Sequence, residues 1–344
     1  MPTSITLLII ARDEERCIRR CITSICKYVD DVVVVDTGSL DNTAAIAKSC
    51  GAVVQAFRWI DDFAAARNYG LSKVKTPWVV TLDADEWMIE GGNTLTSVVT
   101  SPPSSVFEVC MHMRPYDSEP SSAPSVVGTF FTPRVFPSNL RYKGRIHESL
   151  VHQLPISRLN LLLGHDGYEP EQRKRKTDRN TKLLMQSLEE DAANPFLNYY
   201  YAKDLRLQLE SAGAEIDSGH LSEVRRHFKL ALDNLAISSP AWELFAREYL
   251  LFLRDYCQFA DGINLIFQAL SKESLSLELS YTAAIFLYEA AIKQNDIPRA
   301  LLIENGDAFF MRVRRATDKQ SQYYPYEINL QLLVQLRDTA KSRS

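Results

Sequence analysis

An α/β domain followed by an all-α domain is the architecture this sequence predicts, on three observations. In the first half, short continuous apolar runs alternate with stretches of helical spacing. From about Asp178 the apolar residues recur at helical spacing alone. The length, 344 residues, suits about two domains of ~150 residues each. The boundary is placed between residues 172 and 173.

The first-half elements follow in order. Ile5 to Ala11 is a continuous apolar run, as expected of a strand buried on both faces, and Glu15 to about Cys26 reads as a helix. Val32 to Val35 is a second buried strand, ending on Asp36. Asp41 can cap a helix that runs through Ala44, Ile46 and Ala47 and stops at Gly51. Val53 to Phe57, Phe63 to Lys73 and Trp78 to Leu82 read as strand, helix and strand. That alternation predicts a parallel sheet with right-handed crossovers. Residues 102 to 137 carry many Pro and Ser without a clear period, and Ser118–Ser125 reads as a mobile loop, either a lid or a surface insertion.

Composition narrows the function classes. Hydrophobic residues at 46% and charged residues at 24% exclude a disordered or fibrous chain. The 39 basic and 43 acidic side chains leave a formal charge of −4, which argues against nucleic acid as a partner. The N-terminal apolar run is too short for a signal peptide, and no stretch reaches ~18 apolar residues, so no transmembrane segment is expected. Cys17, Cys21 and Cys26 lack the paired Cys-x2-Cys spacing of a zinc site and read as core thiols of a cytoplasmic protein.

A parallel sheet binds ligands beyond the carboxyl ends of its strands. Here those ends are polar: Arg12-Asp13-Glu14-Glu15, Asp36-Thr37-Gly38-Ser39 and Asp83-Ala84-Asp85-Glu86. No G-x-G-x-x-G and no P-loop follows the first strand, so a bound diphosphate needs another source of neutralising charge. Asp83 and Asp85, at i and i+2 of extended chain, project to the same side. Two hard oxygen ligands suit Mn²⁺ or Mg²⁺, which would bridge carboxylates to phosphate.

The ordered set Ile5–Glu15, Val34–Ser39, Phe63-Ala64-Ala65-Ala66-Arg67-Asn68-Tyr69-Gly70-Leu71, Asp83-Ala84-Asp85-Glu86 and Arg145-Ile146-His147-Glu148 resembles the family 2 inverting glycosyltransferases of GT-A fold. The resemblance covers roughly the first half and implies a sugar-nucleotide donor, a divalent metal and inversion at the anomeric carbon. Arg12 departs from the family, which more often has Asn there. By the same resemblance, Ala11, Arg12 and Glu14 border the nucleobase and ribose, and Asp36 accepts a hydrogen bond from the base ring N–H. Arg67 and Asn68 face the donor, with Arg67 a bidentate phosphate partner. The alternative for Arg67 is a helix-surface arginine paired with Asp61 or Asp62. Asp83 and Asp85 hold ribose and metal. Glu148 is favoured as the base with His147 in support, and the reverse is the alternative. Gly164-His165-Asp166-Gly167-Tyr168 resembles the family's closing histidine segment, which would make His165 a third metal ligand, or else a structural histidine.

In the second half, Leu183, Leu184 and Leu188, then Tyr199, Ala202 and Leu205, then Phe228, Ala231 and Leu232 mark helices, and the pattern continues to Ala291. Helix pairs recur roughly every 35 to 45 residues and resemble tetratricopeptide-like repeats, whose concave surface suits a peptide or a second copy of the chain. Arg173-Lys174-Arg175-Lys176 is read as a solvated linker, or as a site for an anionic partner. A family 2 domain with such repeats resembles the sublancin-type peptide S-glycosyltransferases. That resemblance implies a UDP-sugar donor and a Cys or Ser/Thr side chain of a peptide or protein as acceptor, selected by the helical domain. The alternatives are sugar transfer to a lipopolysaccharide core or other surface glycan, and a non-catalytic repeat scaffold.

Overall fold

The computed structural model describes residues 4–100, 102–114, 128–166, 170–212, 218–270, 272, 274–317 and 329–342. The chain divides into two compact units, Met1–Arg175 and Lys176–Ser344. The first is α/β and the second is all-α.

The first unit runs β1 (Ile5–Ala11), α1 (Ile18–Ile25), β2 (Asp31–Asp36), α2 (Thr43–Ser49), β3 (Val53–Ala56), α3 (Phe63–Leu71) and β4 (Trp78–Asp83). These match the expected elements to within a few residues at their ends. After them come β5 (Glu86–Glu90), α4 (Asn93–Val98), β6 (Val106–Arg114), β7 (Gly128–Pro137), β8 (Arg141–Lys143), β9 (Ser149–Val151) and β10 (Ile156–Asp166). Eight strands form one sheet in the order β3-β2-β1-β4-β7-β6-β10-β5, and β8 and β9 form a separate antiparallel pair. The β3-β2-β1-β4 block is parallel, as the alternation predicts. The sheet as a whole is mixed: β7 is antiparallel to β4 and β6, and β5 is antiparallel to β10. The expected loop at Ser118–Ser125 lies outside the described residues, and its flanks are the paired strands β6 and β7.

The continuous apolar run of β1 is explained by burial on both faces. Leu7 and Ile9 join Ile18, Ile22, Val80 and Leu82 in one layer, whereas Leu8 joins Val33, Val35, Leu71 and Phe136 in the other. Each such side chain stabilises the fold by ~1.5–3 kcal/mol. On the second face α3 lies close to the sheet: a Cβ on Gly70 would sit 2.6 Å from Leu8 Cδ1 and 2.8 Å from Val35 Cγ2. Ala64 and Ala66, both buried, keep the same helix thin where it meets the sheet. α3 is started by Asp62, whose side chain accepts from the Ala65 N–H at 2.8 Å.

Strand β10 is irregular in register. Against β6, Arg158 pairs with Glu108 but Leu162 pairs with Cys110, so β10 spends two more residues than its partner between those rungs. At the end of that stretch and beyond it, Leu161, Leu163 and His165 are all buried.

Helix α5 (Pro170–Glu190) begins before the division and continues into the second unit, which also holds α6 (Pro195–Ala212), α7 (Ser218–Asp233), α8 (Pro240–Asp255), α9 (Phe259–Leu270), α10 (Leu277–Lys293), α11 (Arg299–Thr317) and α12 (Leu330–Ser342). Successive helices pack as α6 with α7, α8 with α9 and α10 with α11, and α8 also packs on α10. The basic run 173–176 is not an irregular linker but part of α5. The α6–α7 contact contains a polar core: His227 and Asn198 are both buried, with His227 Nδ1 2.7 Å from Asn198 Oδ1. Asn198 Nδ2 donates to the Ala192 and Asn194 carbonyls, which leaves its oxygen as the acceptor.

Candidate active site

The parallel register sets the polar strand ends side by side, with Ala11 opposite Asp36 and Ile10 opposite Asp83. The loops after β1 and β2 are laced together. Asp13 N–H donates to Ser39 Oγ at 3.0 Å, and Glu14 N–H donates to Thr43 Oγ1 at 2.7 Å. Asp13 Oδ1 accepts from Leu40 N–H at 2.6 Å. The N-cap of α2 is Asn42, without a side-chain bond, and the expected cap Asp41 lies one residue earlier, accepting from Thr43 N–H at 2.9 Å.

Several residues expected to meet the donor are occupied within the protein. The Ala11 carbonyl accepts from Thr37 N–H at 3.0 Å. Asp36 Oδ1 accepts from Gly38 and Ser39 N–H at 3.2 and 2.9 Å, forming an Asx turn that the left-handed Gly38 (φ +105°) permits. Glu14 Oε2 accepts from the Cys17 thiol at 3.0 Å, while burial, and then Glu14 itself, pushes that thiol well above its ordinary pKa and keeps it a donor. Arg12 is half exposed and lies 3.8 Å from Asp13. Cys17 and Cys21 are buried core thiols, whereas Cys26 is exposed.

Arg67 organises the centre of the site. Its side chain is only 7% exposed. Nη2 donates to Asp83 Oδ1 at 2.8 Å and Nε donates to Glu148 Oε1 at 2.5 Å. The pairing with Asp61 or Asp62 considered from sequence is not what α3 builds. Arg67 Nη1 is buried without a hydrogen-bond partner among the described residues. Asp83 is also held by Arg134 Nη2 at 3.2 Å from Oδ2. Burial alone would raise its pKa, but Arg134 and Arg67 outweigh that and hold the carboxyl well below the usual carboxylate range.

Asn68, expected to face the donor, is engaged within the protein. Its amide brackets the backbone of Tyr142, donating to the carbonyl at 2.9 Å and accepting from the N–H at 2.8 Å. Together with Phe63 N–H donating to the Arg145 carbonyl at 2.8 Å, this fastens the β8–β9 hairpin to α3. The hairpin loop turns through left-handed residues at Gly144 (φ +106°) and His147 (φ +51°). His147 is exposed and Glu148 is turned inward. It is therefore Glu148, of the two expected catalytic residues, that the fold brings to Arg67 and Asp83.

Strand β5 is antiparallel to β10, with Glu86 opposite His165, which delivers His165 to the loop after β4. His165 Nε2 lies 3.6 Å from Asp85 Oδ2, and both side chains are buried. Gly164 lets Trp87 lie against β10, since a Cβ there would be 2.5 Å from the indole. A carboxylate oxygen and an imidazole nitrogen at this separation fit two positions around one Mn²⁺ or Mg²⁺ ion. Asp83 was expected to join that set, but its two oxygens are engaged by arginines. Among the described residues no three His, Cys, Asp or Glu side chains gather as a metal site. Of the three expected metal ligands, Asp85 and His165 are the two that the structure brings together.

Glu86 and Arg134 escaped the sequence reading as site residues. Arg134 donates to Glu86 Oε1 as well as to Asp83. The available signal was an arginine inside the otherwise apolar run Val135-Phe136 and its neighbours.

The mixed, mostly parallel sheet with polar strand ends defines an α/β domain of GT-A type. Residues 6–99 match the model of the glycosyl transferase family 2 domain, and the first unit carries a domain of that family. A TPR repeat-containing protein of Synechococcus elongatus is 31% identical over 243 residues, covering 66% of this chain and 56% of that protein. The SPbeta prophage-derived glycosyltransferase SunS of Bacillus subtilis is 28% identical over 218 residues, covering 59% of this chain and 50% of that protein. The chain thus spans about half the length of these curated relatives. Among solved structures, glucosyl-3-phosphoglycerate synthase from Mycobacterium tuberculosis superposes with a TM-score of 0.28 at 22% identity, covering 32% of this chain and 44% of that one. At that score the fold assignment rests on the strand order and not on the superposition.

Proposed function

We propose that the protein is a metal-dependent inverting glycosyltransferase that moves a hexose from a UDP-sugar to a Cys or Ser/Thr side chain of a peptide or protein. The observation that carries this reading is Arg67, which ties strand-end Asp83 to hairpin Glu148 within one buried site of the family 2 domain. Arg67 offers its buried Nη1 to the donor diphosphate. A divalent ion on Asp85 and His165 would supply Lewis-acid stabilisation of the departing nucleoside diphosphate. Glu148 takes the acceptor proton, a step worth ~10²–10⁴-fold for a hydroxyl and less for a thiol, which ionises near neutral pH.

The helical unit chooses the acceptor, and its paired helices α6–α7, α8–α9 and α10–α11 offer the repeated surface such a role needs. No helix among the described residues is long and apolar enough to cross a membrane. The test is donor hydrolysis across a panel of UDP- and GDP-sugars with Mn²⁺, followed by mass spectrometry of peptides bearing Cys, Ser or Thr. A hexose mass added to a peptide in a Mn²⁺-dependent reaction is the expected result. Absence of hydrolysis and transfer across the whole panel would sink the proposal.

A further inference from the structure

The fold sets Arg134 beside the C-terminal part of β4. Val135 pairs with Val80 across the antiparallel β7–β4 ladder, so the preceding residue runs alongside the strand end where Asp83 lies. One nitrogen of Arg134, Nη2, reaches both Asp83 Oδ2 and Glu86 Oε1. The second oxygen of Glu86, Oε2, accepts from the backbone N–H of Asp83 at 2.9 Å. The contacts close a ring: Arg134 holds the carboxylate of Asp83, Glu86 holds its amide, and Arg134 holds Glu86. Glu86 is 2% exposed, so an unpaired charge there would be costly.

We infer that Arg134 and Glu86 are a positioning pair that fixes the Asp83–Glu86 turn, aiming Asp83 at the donor and Asp85 at His165. This rests on the glycosyltransferase reading of the site. An apolar pair of similar volume would join β7 to β4 without desolvating two charges. What it could not do is grip the carboxylate and the amide of one aspartate at once. Beyond their contact with each other, the side-chain hydrogen bonds of the pair among the described residues go to Asp83, and neither Arg134 nor Glu86 needs to touch the ligand.

The probe is UDP with Mn²⁺, titrated calorimetrically into the full chain as wild type, Arg134→Met, Glu86→Gln and the double variant, each also followed by thermal unfolding. Arg134→Met is expected to weaken binding by ~10- to 100-fold, the range for losing a partner that orients a ligating group. Glu86→Gln is expected to weaken it less, and the double variant to bind no worse than Arg134→Met, because both residues act through Asp83. Glu86→Gln is nearly isosteric and serves alone if Arg134→Met does not fold. Wild-type affinity in folded variants would make the pair purely structural and overturn the inference. A double-variant loss equal to the product of the single losses would mean two independent contacts and also overturn it. Failure of wild type to bind UDP, with or without Mn²⁺, would instead remove the functional reading and the inference together.

Discussion

Arg67 makes two carboxylates share one cation. With Asp83 and Glu148 both on its guanidinium, the candidate base is kept in place by the same group that holds the strand-end aspartate. Glu148→Gln keeps the shape of the side chain but cannot take a proton. Steady-state transfer to a Ser peptide is expected to fall by ~10²-fold or more with the melting temperature little changed. An undiminished rate would move the role to another group. Asp85→Ala removes one half of the Asp85–His165 pair. The variant is expected to lose Mn²⁺ binding, read by calorimetry with the metal alone, while its far-UV circular dichroism stays native. Retained Mn²⁺ affinity would take Asp85 out of the ligand set.

At the scale of elements, the site depends on how the β8–β9 hairpin is fastened to α3. Asn68 makes two hydrogen bonds to the backbone of Tyr142, and Asn68→Ala leaves both peptide groups without them. Since an unsatisfied buried group costs ~1–3 kcal/mol, the first unit is expected to lose stability of that order, with faster amide exchange across 141–151. Unchanged exchange would show that the hairpin stays docked without the clasp. Strands β1, β2 and β4 were legible because burial on both faces leaves continuous apolar runs, and their polar ends follow directly. Strands β6 to β10 were not. They have an antiparallel neighbour or lie toward the edge of the sheet, and polar residues such as Glu108, Thr132, Arg158 and Asn160 interrupt any apolar run. Arg134 was illegible for a related reason: its partners Asp83 and Glu86 lie 51 and 48 residues earlier, and only the β7–β4 pairing joins them. Asn68 shows the opposite limit, since the family resemblance implied a place facing the donor and its amide instead serves a backbone.

On the scale of the molecule, the two units carry separate stability determinants. In the helical unit, burial and then the neighbouring Arg226 lower the pKa of His227 to about 4. Its Nδ1 faces Asn198 Oδ1 and its Nε2 lies 2.7 Å from Arg226 Nη2, so the neutral ring donates to the amide and accepts from the guanidinium. Protonation would set an N–H against that cation. The unfolded chain takes a proton near pH 6.5 and the folded unit does not until about pH 4. Stability is therefore fully present above pH 6.5 and falls as pH drops toward 4, by on the order of 2–3 kcal/mol. Asp204, raised to about 6 by burial, works with the opposite sign over the same interval. The difference between wild type and His227→Gln isolates the histidine. Amide exchange in α6 and α7 should accelerate on going from pH 7 to pH 5, after correction for intrinsic rates, less steeply in the variant. Equal slopes would exclude His227 as the source.

The two surplus residues in β10 impose a parity rule on the chain. A strand exposes alternate residues to opposite sides, so two extra residues amount to one whole pleat and return His165 to the side that Leu161 and Leu163 occupy. Loss or gain of a pair upstream of Leu161 would preserve that orientation. Loss of Asn160 alone would turn His165 away from Asp85 and carry Leu161 and Leu163 out of the core with it. Among length variants of this segment, those that keep the site intact are the ones that count in twos.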